Sequence, residues 1–169
     1  MVTWDKTISR KIYEKRFFEG QRFVKIVADL LKTHGFEVRT PLQRVKALRK
    51  ANKDSGDIHI MDGENIRFNL EVKSRGLTFT CIEDYPYARV FIDNINQWNA
   101  KKHRVAAVII ISQPTEKMIV VPISSRKNWK EEEVTDPEKA VRVWKYSVNK
   151  MYCISFEELI QKLRDKLNG

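Results

Sequence analysis

The sequence predicts an α/β fold, a mixed central sheet flanked by helices and followed by a C-terminal extension. Three observations lead there. Apolar residues recur at helical spacing from Lys6 to His34, and two strand-like segments are joined by the turn signal Asp62-Gly63. A nearly continuous apolar run, "RVAAVIIIS" at 104–112, then follows another segment of helical spacing. At 169 residues the chain fits one domain, with a core over about 6–124 and an extension over about 125–169.

Each element has its own local reason. Ile8, Ile12, Phe23, Ile26, Val27 and Leu30 form one helical stripe, and Gly35 is a stop signal, so 6–34 reads as one helix or as two with a break near Gly20. "FEVRT" is a short strand closed by Pro41, and "LQRVKALRKANKDSG" is a basic loop or short exposed helix. "DIHI" and "IRFNLEVK" form an antiparallel hairpin. In its second strand Ile66, Phe68, Leu70 and Val72 face one way and Arg67, Asn69, Glu71 and Lys73 the other, because side chains alternate with period two.

Residues 88–102 read as helical from the spacing of Val90 or Phe91, Ile95 and Trp98, and the apolar run after them as a central strand. "KMIVVPIS" is a further strand, in which Pro122 marks an edge or a strand end. The segment 125–148 is polar and carries no clear period. "MYCI" is a last short strand, and Ser155 with Glu158 makes a capping box that opens a terminal helix over 156–167.

The 32 Lys and Arg exceed the 22 Asp and Glu, for a formal charge of +10, so polyanions are drawn to the surface and nucleic acid is the first candidate partner. No apolar stretch approaches the ~18 residues a membrane span needs, and the start lacks a signal-peptide core, so no membrane partner and a cytoplasmic protein are expected. Cys81 and Cys153 lie far apart and outside any CxxC pair, which points to two reduced thiols.

The polar face of "IRFNLEVK" raises a physical question, because Asn69, Glu71 and Lys73 in a row are costly to bury unless something meets them. Glu71 and Lys73 emerge on one face and Asp57 heads the neighbouring strand, so the three can converge. Two carboxylates suit Mg2+, and a nearby lysine can orient water or neutralise a phosphate. An Asp followed by Glu-x-Lys is common by chance, and alone it reads as a strand with a cross-strand ion pair. His59 and Asn69 share these faces as solvated positions or substrate contacts, while His34 and His103 read as surface residues. Trp129, Trp144 and Tyr146 read as core, with stacking on bases as the alternative.

"GDI" followed by "EVKS" resembles the PD-(D/E)XK nuclease superfamily, and "HGFEV" with "LEVKS" is most similar to its archaeal and viral Holliday-junction resolvases. Gly56 stands where the family signature has proline. The resemblance implies a restriction-endonuclease-like fold with an αβββαβ core and a Mg2+-dependent DNA endonuclease, with Mn2+ as a substitute. It implies Asp57, Glu71 and the Val72 carbonyl as metal ligands and Lys73 as the water-positioning residue. It also implies an acidic residue from the first helix, for which Glu19, on the stripe of Ile12, Phe23, Ile26 and Leu30, is the choice.

Arg44, Lys46, Arg49, Lys50 and Lys53 precede Asp57 and are expected to overhang the site and meet phosphates, with Ser74 and Arg75 as further contacts. Branched DNA as substrate and a homodimer follow from the resolvase likeness. The alternatives are a restriction- or repair-type nuclease on the same fold and a non-catalytic nucleic-acid-binding module.

Overall fold

The computed structural model describes residues 6–41, 56–136 and 140–169. The expected basic overhang, with Arg44, Lys46, Arg49, Lys50 and Lys53, lies outside the described residues. The fold is mixed α/β, with a six-stranded sheet flanked by helices.

Helix α1 (Lys6–Thr33) runs unbroken through Gly20. It ends as the sequence suggests: Gly35 takes φ +88°, its N–H donates to Lys32 O, and the Phe36 N–H reaches back to Leu31 O. This pair of bonds satisfies carbonyls the helix would otherwise orphan, and only glycine adopts that φ without strain. The buried face of α1 is Phe23, Val24, Val27, Ala28 and Leu31, whereas Leu30 is exposed. The stripe is therefore rotated from the expected one.

Strands β1 (Val38–Arg39), β2 (Ile58–Asp62) and β3 (Asn65–Arg75) pair antiparallel in sequence. The Asp62-Gly63 turn closes the β2–β3 hairpin, with Asp62 opposite Asn65 and Gly63 at φ +59°. Strand β5 (Val105–Ser112) pairs parallel with β3, then antiparallel with β6 (Met118–Pro122), which is flanked in turn by β9 (Ile154–Ser155). The sheet order β1-β2-β3-β5-β6-β9 makes β5 an interior strand, as its apolar run requires. Pro122 is the last residue of β6, where its missing N–H costs no interior ladder bond.

Residues 88–102 are not one helix. They form strand β4 (Arg89–Asn94) and a short helix α2 (Ile95–Asn99). Val90 and Ile92 are fully buried and alternate as a strand does; the helical spacing came from joining them to Ile95 and Trp98 across the element boundary. The segment without a clear period supplies β7 (Lys130–Asp136) and β8 (Val141–Asn149), which with β4 form an antiparallel sheet ordered β4-β8-β7. Helix α3 (Phe156–Asn168) opens on the expected capping box of Ser155 and Glu158. Of "MYCI", only Ile154 is strand.

Two apolar clusters fill the two faces of the six-stranded sheet. On one face Ile58, Ile60, Leu70, Val72, Ile109 and Ile111 meet Val27 and Leu31 of α1 and Phe156, Leu159 and Leu163 of α3. On the other, Val108, Ile110, Ile119 and Val121 meet Val90 and Ile92 of β4 and Tyr146 and Val148 of β8. The region expected as an extension thus contributes to both cores. Trp129 and Tyr146 are buried and stacked with Arg126, while Trp144 is exposed. Among the described residues no helix is long and apolar enough to cross a membrane.

Candidate active site

The hairpin places the predicted trio. On β3, Leu70 and Val72 turn into the helix-covered core, so Glu71 and Lys73 must turn toward the face covered by the smaller sheet. Asp57 lies just before β2. Its N–H donates to Leu70 O at 3.2 Å, and its Oδ2 accepts the Val72 N–H at 2.8 Å. The carboxylate therefore stands beside the residue between Glu71 and Lys73. Strand geometry sends the Val72 carbonyl to the same edge as its N–H, toward Asp57.

Glu71 is only 3% exposed. Its Oε1 lies 3.1 Å from Lys101 Nζ and 3.1 Å from His103 Nε2. Burial alone would raise the pKa of this carboxyl; the His103 hydrogen bond and the charges of Lys101 and Lys73 outweigh it and hold the pKa at about 2. Glu71 is thus a buried carboxylate kept ionised by cations around it.

Lys73 turns to a different partner. Its Nζ lies 3.1 Å from Oδ2 of Asp93, a buried carboxylate on β4, and Lys101 Nζ stands 3.9 Å from the same oxygen. Arg75, further along β3, donates to the carbonyls of Phe91 on β4 and of its neighbour Ser74. Burial lowers the Arg75 pKa, with Tyr85 and Asp93 acting to raise it. Lys145 on β8 is also drawn down by burial and by Arg75, with Asp136 and Asp93 opposing. Cations and carboxylates from β3, β4 and the loop before β5 therefore meet between the two sheets, with Lys145 of β8 close enough to feel Arg75 and Asp93.

Several expected residues are placed differently. Glu19 is at the helix surface, its side chain 48% exposed and its carboxylate 3.9 Å from Lys15 Nζ. It lies about 110° around α1 from the centre of the buried stripe, at about 100° per residue, because that stripe is centred on Val27 and Leu31 rather than on Ile26 and Leu30. Ser74 accepts a hydrogen bond from Gln113 Nε2 at 3.3 Å on the face opposite Lys73. His59 is buried opposite Asn69, which donates to Arg104 O.

His103 is half-buried against Glu71 rather than at the surface, and Lys101 and Asp93 complete the group. The signal for the first two is topological. "KKHR" immediately precedes β5, and parallel pairing of β5 with β3 sets Val105 beside Asn69, so this run ends next to the strand that carries Glu71.

Asp57, Glu71 and the Val72 carbonyl offer oxygen donors only, which fits a hard divalent cation. Among the described residues no group of three or more His, Cys, Asp or Glu forms a cage for a metal. Two carboxylates and one carbonyl match Mg2+, which retains waters and takes further ligands from a phosphate. The ammonium already at Glu71 indicates that the position stabilises positive charge.

No protein-family model matches the sequence, and no curated protein matches it. Among solved structures the chain is similar to D212, a nuclease from a fusselovirus, at 16% identity and a TM-score of 0.42, over 98% of this chain and 96% of that one. At that identity the residue roles rest on their own geometry.

Proposed function

We propose that the protein is a Mg2+-dependent DNA endonuclease of the PD-(D/E)XK type. The observation that carries this reading is the bond from Val72 N–H to Asp57, which joins the Asp to the Glu71-Val72-Lys73 segment on which the signature depends. The formal charge of +10 supports a polyanionic substrate.

In this reading Asp57, Glu71 and the Val72 carbonyl hold the cation. When bound, it supplies Lewis-acid charge at a phosphodiester and makes water more acidic. Glu71 is ionised at neutral pH without needing the metal to deprotonate it, since its pKa lies at about 2. Lys73 is 24% exposed at its side chain against 8% for Lys101, so it is the lysine able to orient an entering water or meet a phosphate oxygen. Arg75 and Lys145 add positive potential around Asp93.

Branched DNA is the preferred substrate on the resolvase resemblance, with a homodimer presenting two sites to two strands. A DNA substrate would place the protein in the cytoplasm, and Mn2+ should replace Mg2+.

The test is cleavage of supercoiled plasmid and of linear, flap, single-stranded and four-way-junction DNA, with Mg2+, with Mn2+ and with EDTA. Metal-dependent cutting is expected, and Lys73→Met should reduce it by about 10²-fold or more while sparing DNA binding. Binding without cutting on every substrate would leave the non-catalytic module; cutting of linear duplex as fast as junctions would favour the restriction or repair type.

A further inference from the structure

The charged group between the two sheets contains a carboxylate that the nuclease signature does not require. Asp93 sits on the added sheet, is 7% exposed, and has no place in the Asp, Glu-x-Lys trio. How it reaches this group is informative. Along β4, Val90 and Ile92 point into the core between the sheets, so simple alternation would send Asp93 outward with Arg89 and Phe91. The β4–β8 register breaks between Phe91 and Asp93: Phe91 is opposite Ser147, and Asp93 is opposite the next residue, Tyr146. Ile92 is the extra residue of a β-bulge, and the bulge turns Asp93 onto the inner face.

This arrangement is expensive, because a carboxylate taken out of water costs several kcal/mol unless cations compensate. The compensation comes from Lys73 at 3.1 Å and Lys101 at 3.9 Å. Lys73 also stands two residues from Glu71 on the same strand face. With no acid on β4, its ammonium would have Glu71 as the neighbouring carboxylate and would compete with any cation there. Asp93 draws it toward β4, away from that oxygen.

We propose that Asp93 is a positioning residue, which holds the Lys73 ammonium on the β4 side and keeps it off Glu71. This role rests on the nuclease reading and extends it to a residue outside the signature. Asp93 touches neither metal nor substrate; it acts through Lys73. Misplacing a reacting group by about 1 Å costs on the order of 10²-fold, which sets the expected scale.

The experiment compares wild type, Asp93→Asn, Lys73→Met and the double variant in Mn2+-supported cleavage, together with calorimetric Mn2+ binding. Asp93→Asn should lower kcat by about 10- to 10²-fold with KM and Mn2+ affinity nearly unchanged. The double variant should be no worse than Lys73→Met, since a removed ammonium cannot be mispositioned. A purely structural Asp93 would instead give additive losses, and a metal-ligand Asp93 would weaken Mn2+ binding; either result overturns the proposal, as does wild-type kcat in Asp93→Asn.

If Asp93→Asn does not fold, the 15N spectrum of the wild-type lysine ammonium groups decides. A Lys73 signal slow in proton exchange, assigned by its loss in Lys73→Arg, supports the proposal, and one averaged like exposed Lys117 overturns it. Wild-type protein that cuts no DNA with any metal overturns the nuclease reading and this role with it, whereas a cutting wild type with an unaffected Asp93→Asn overturns this role alone.

Discussion

Lys101 Nζ lies 3.1 Å from Glu71 Oε1 and 3.9 Å from Asp93 Oδ2, so one buried ammonium spans two buried carboxylates. In the proposed function an arriving divalent cation would compete with it for Glu71, and Asp93 would give the displaced ammonium a second partner. Lys101→Met keeps the stem and removes the charge. Metal-free stability should fall, by an amount bounded by the roughly 3–5 kcal/mol seen when one partner of a buried pair is removed. Mn2+ affinity should rise several-fold, so that the gain in melting temperature on adding Mn2+ exceeds that of wild type. Calorimetry and thermal unfolding in EDTA or Mn2+ check both, and unchanged affinity would show that the ammonium does not compete.

Glu71 makes the fold sensitive to acid in a defined window. Its pKa is about 2 in the folded protein against an ordinary 4.5; burial acts to raise it, and His103, Lys101 and Lys73 lower it by more. A carboxyl whose pKa is depressed on folding contributes stability that is complete above the unfolded value and lost as pH falls toward the folded one. Urea unfolding free energies should therefore drop between about pH 5 and pH 2 in wild type and drop less steeply in Glu71→Gln. Parallel slopes for the two proteins would mean that Glu71 is not the group responsible.

The parts of this fold legible in the sequence are those decided by near neighbours. Alternation on β3 separates Glu71 and Lys73 from Leu70 and Val72, and the Asp62-Gly63 turn and the Ser155–Glu158 capping box are short-range chemistry. What escapes is set by packing between distant segments. Asp93 is hidden because a bulge reverses its side, and a bulge leaves no mark in the pattern of apolar residues. Lys101 and His103 reach Glu71 only through the parallel β3–β5 pairing, which a local reading cannot see. Glu19 was drawn inward by a stripe that included Leu30, a residue the fold leaves exposed.

The two cysteines should differ sharply in reactivity. Cys81 is exposed in the loop after β3, whereas Cys153 is buried beneath the smaller sheet, and burial pushes its thiol up to about 12. Since the thiolate is the reactive form, Cys153 stays inert at pH 8. A chromogenic disulfide reagent should modify one thiol per chain in native protein and both in denaturant. Loss of the native signal in Cys81→Ser identifies the reactive site, and two rapidly reacting native thiols would contradict the placement of Cys153.

Gly56, the residue just before Asp57, is required here for a physical reason. Its φ is +92°, a conformation in which side chains are strained, and a Cβ at this position would stand 3.3 Å from His103 Nε2. Gly56→Ala should cost about 1–2 kcal/mol from the backbone alone and press on the His103 ring that is bonded to Glu71. Gly56→Pro demands φ near −65°, so the chain must rotate just before Asp57 and pull its carboxylate from the Val72 N–H. On the proposed function, the proline variant should bind Mn2+ more weakly and cut DNA less than the alanine variant. Equal Mn2+ affinity in the two variants, measured by calorimetry on folded protein, would show that the position of Asp57 does not depend on the backbone turn at Gly56.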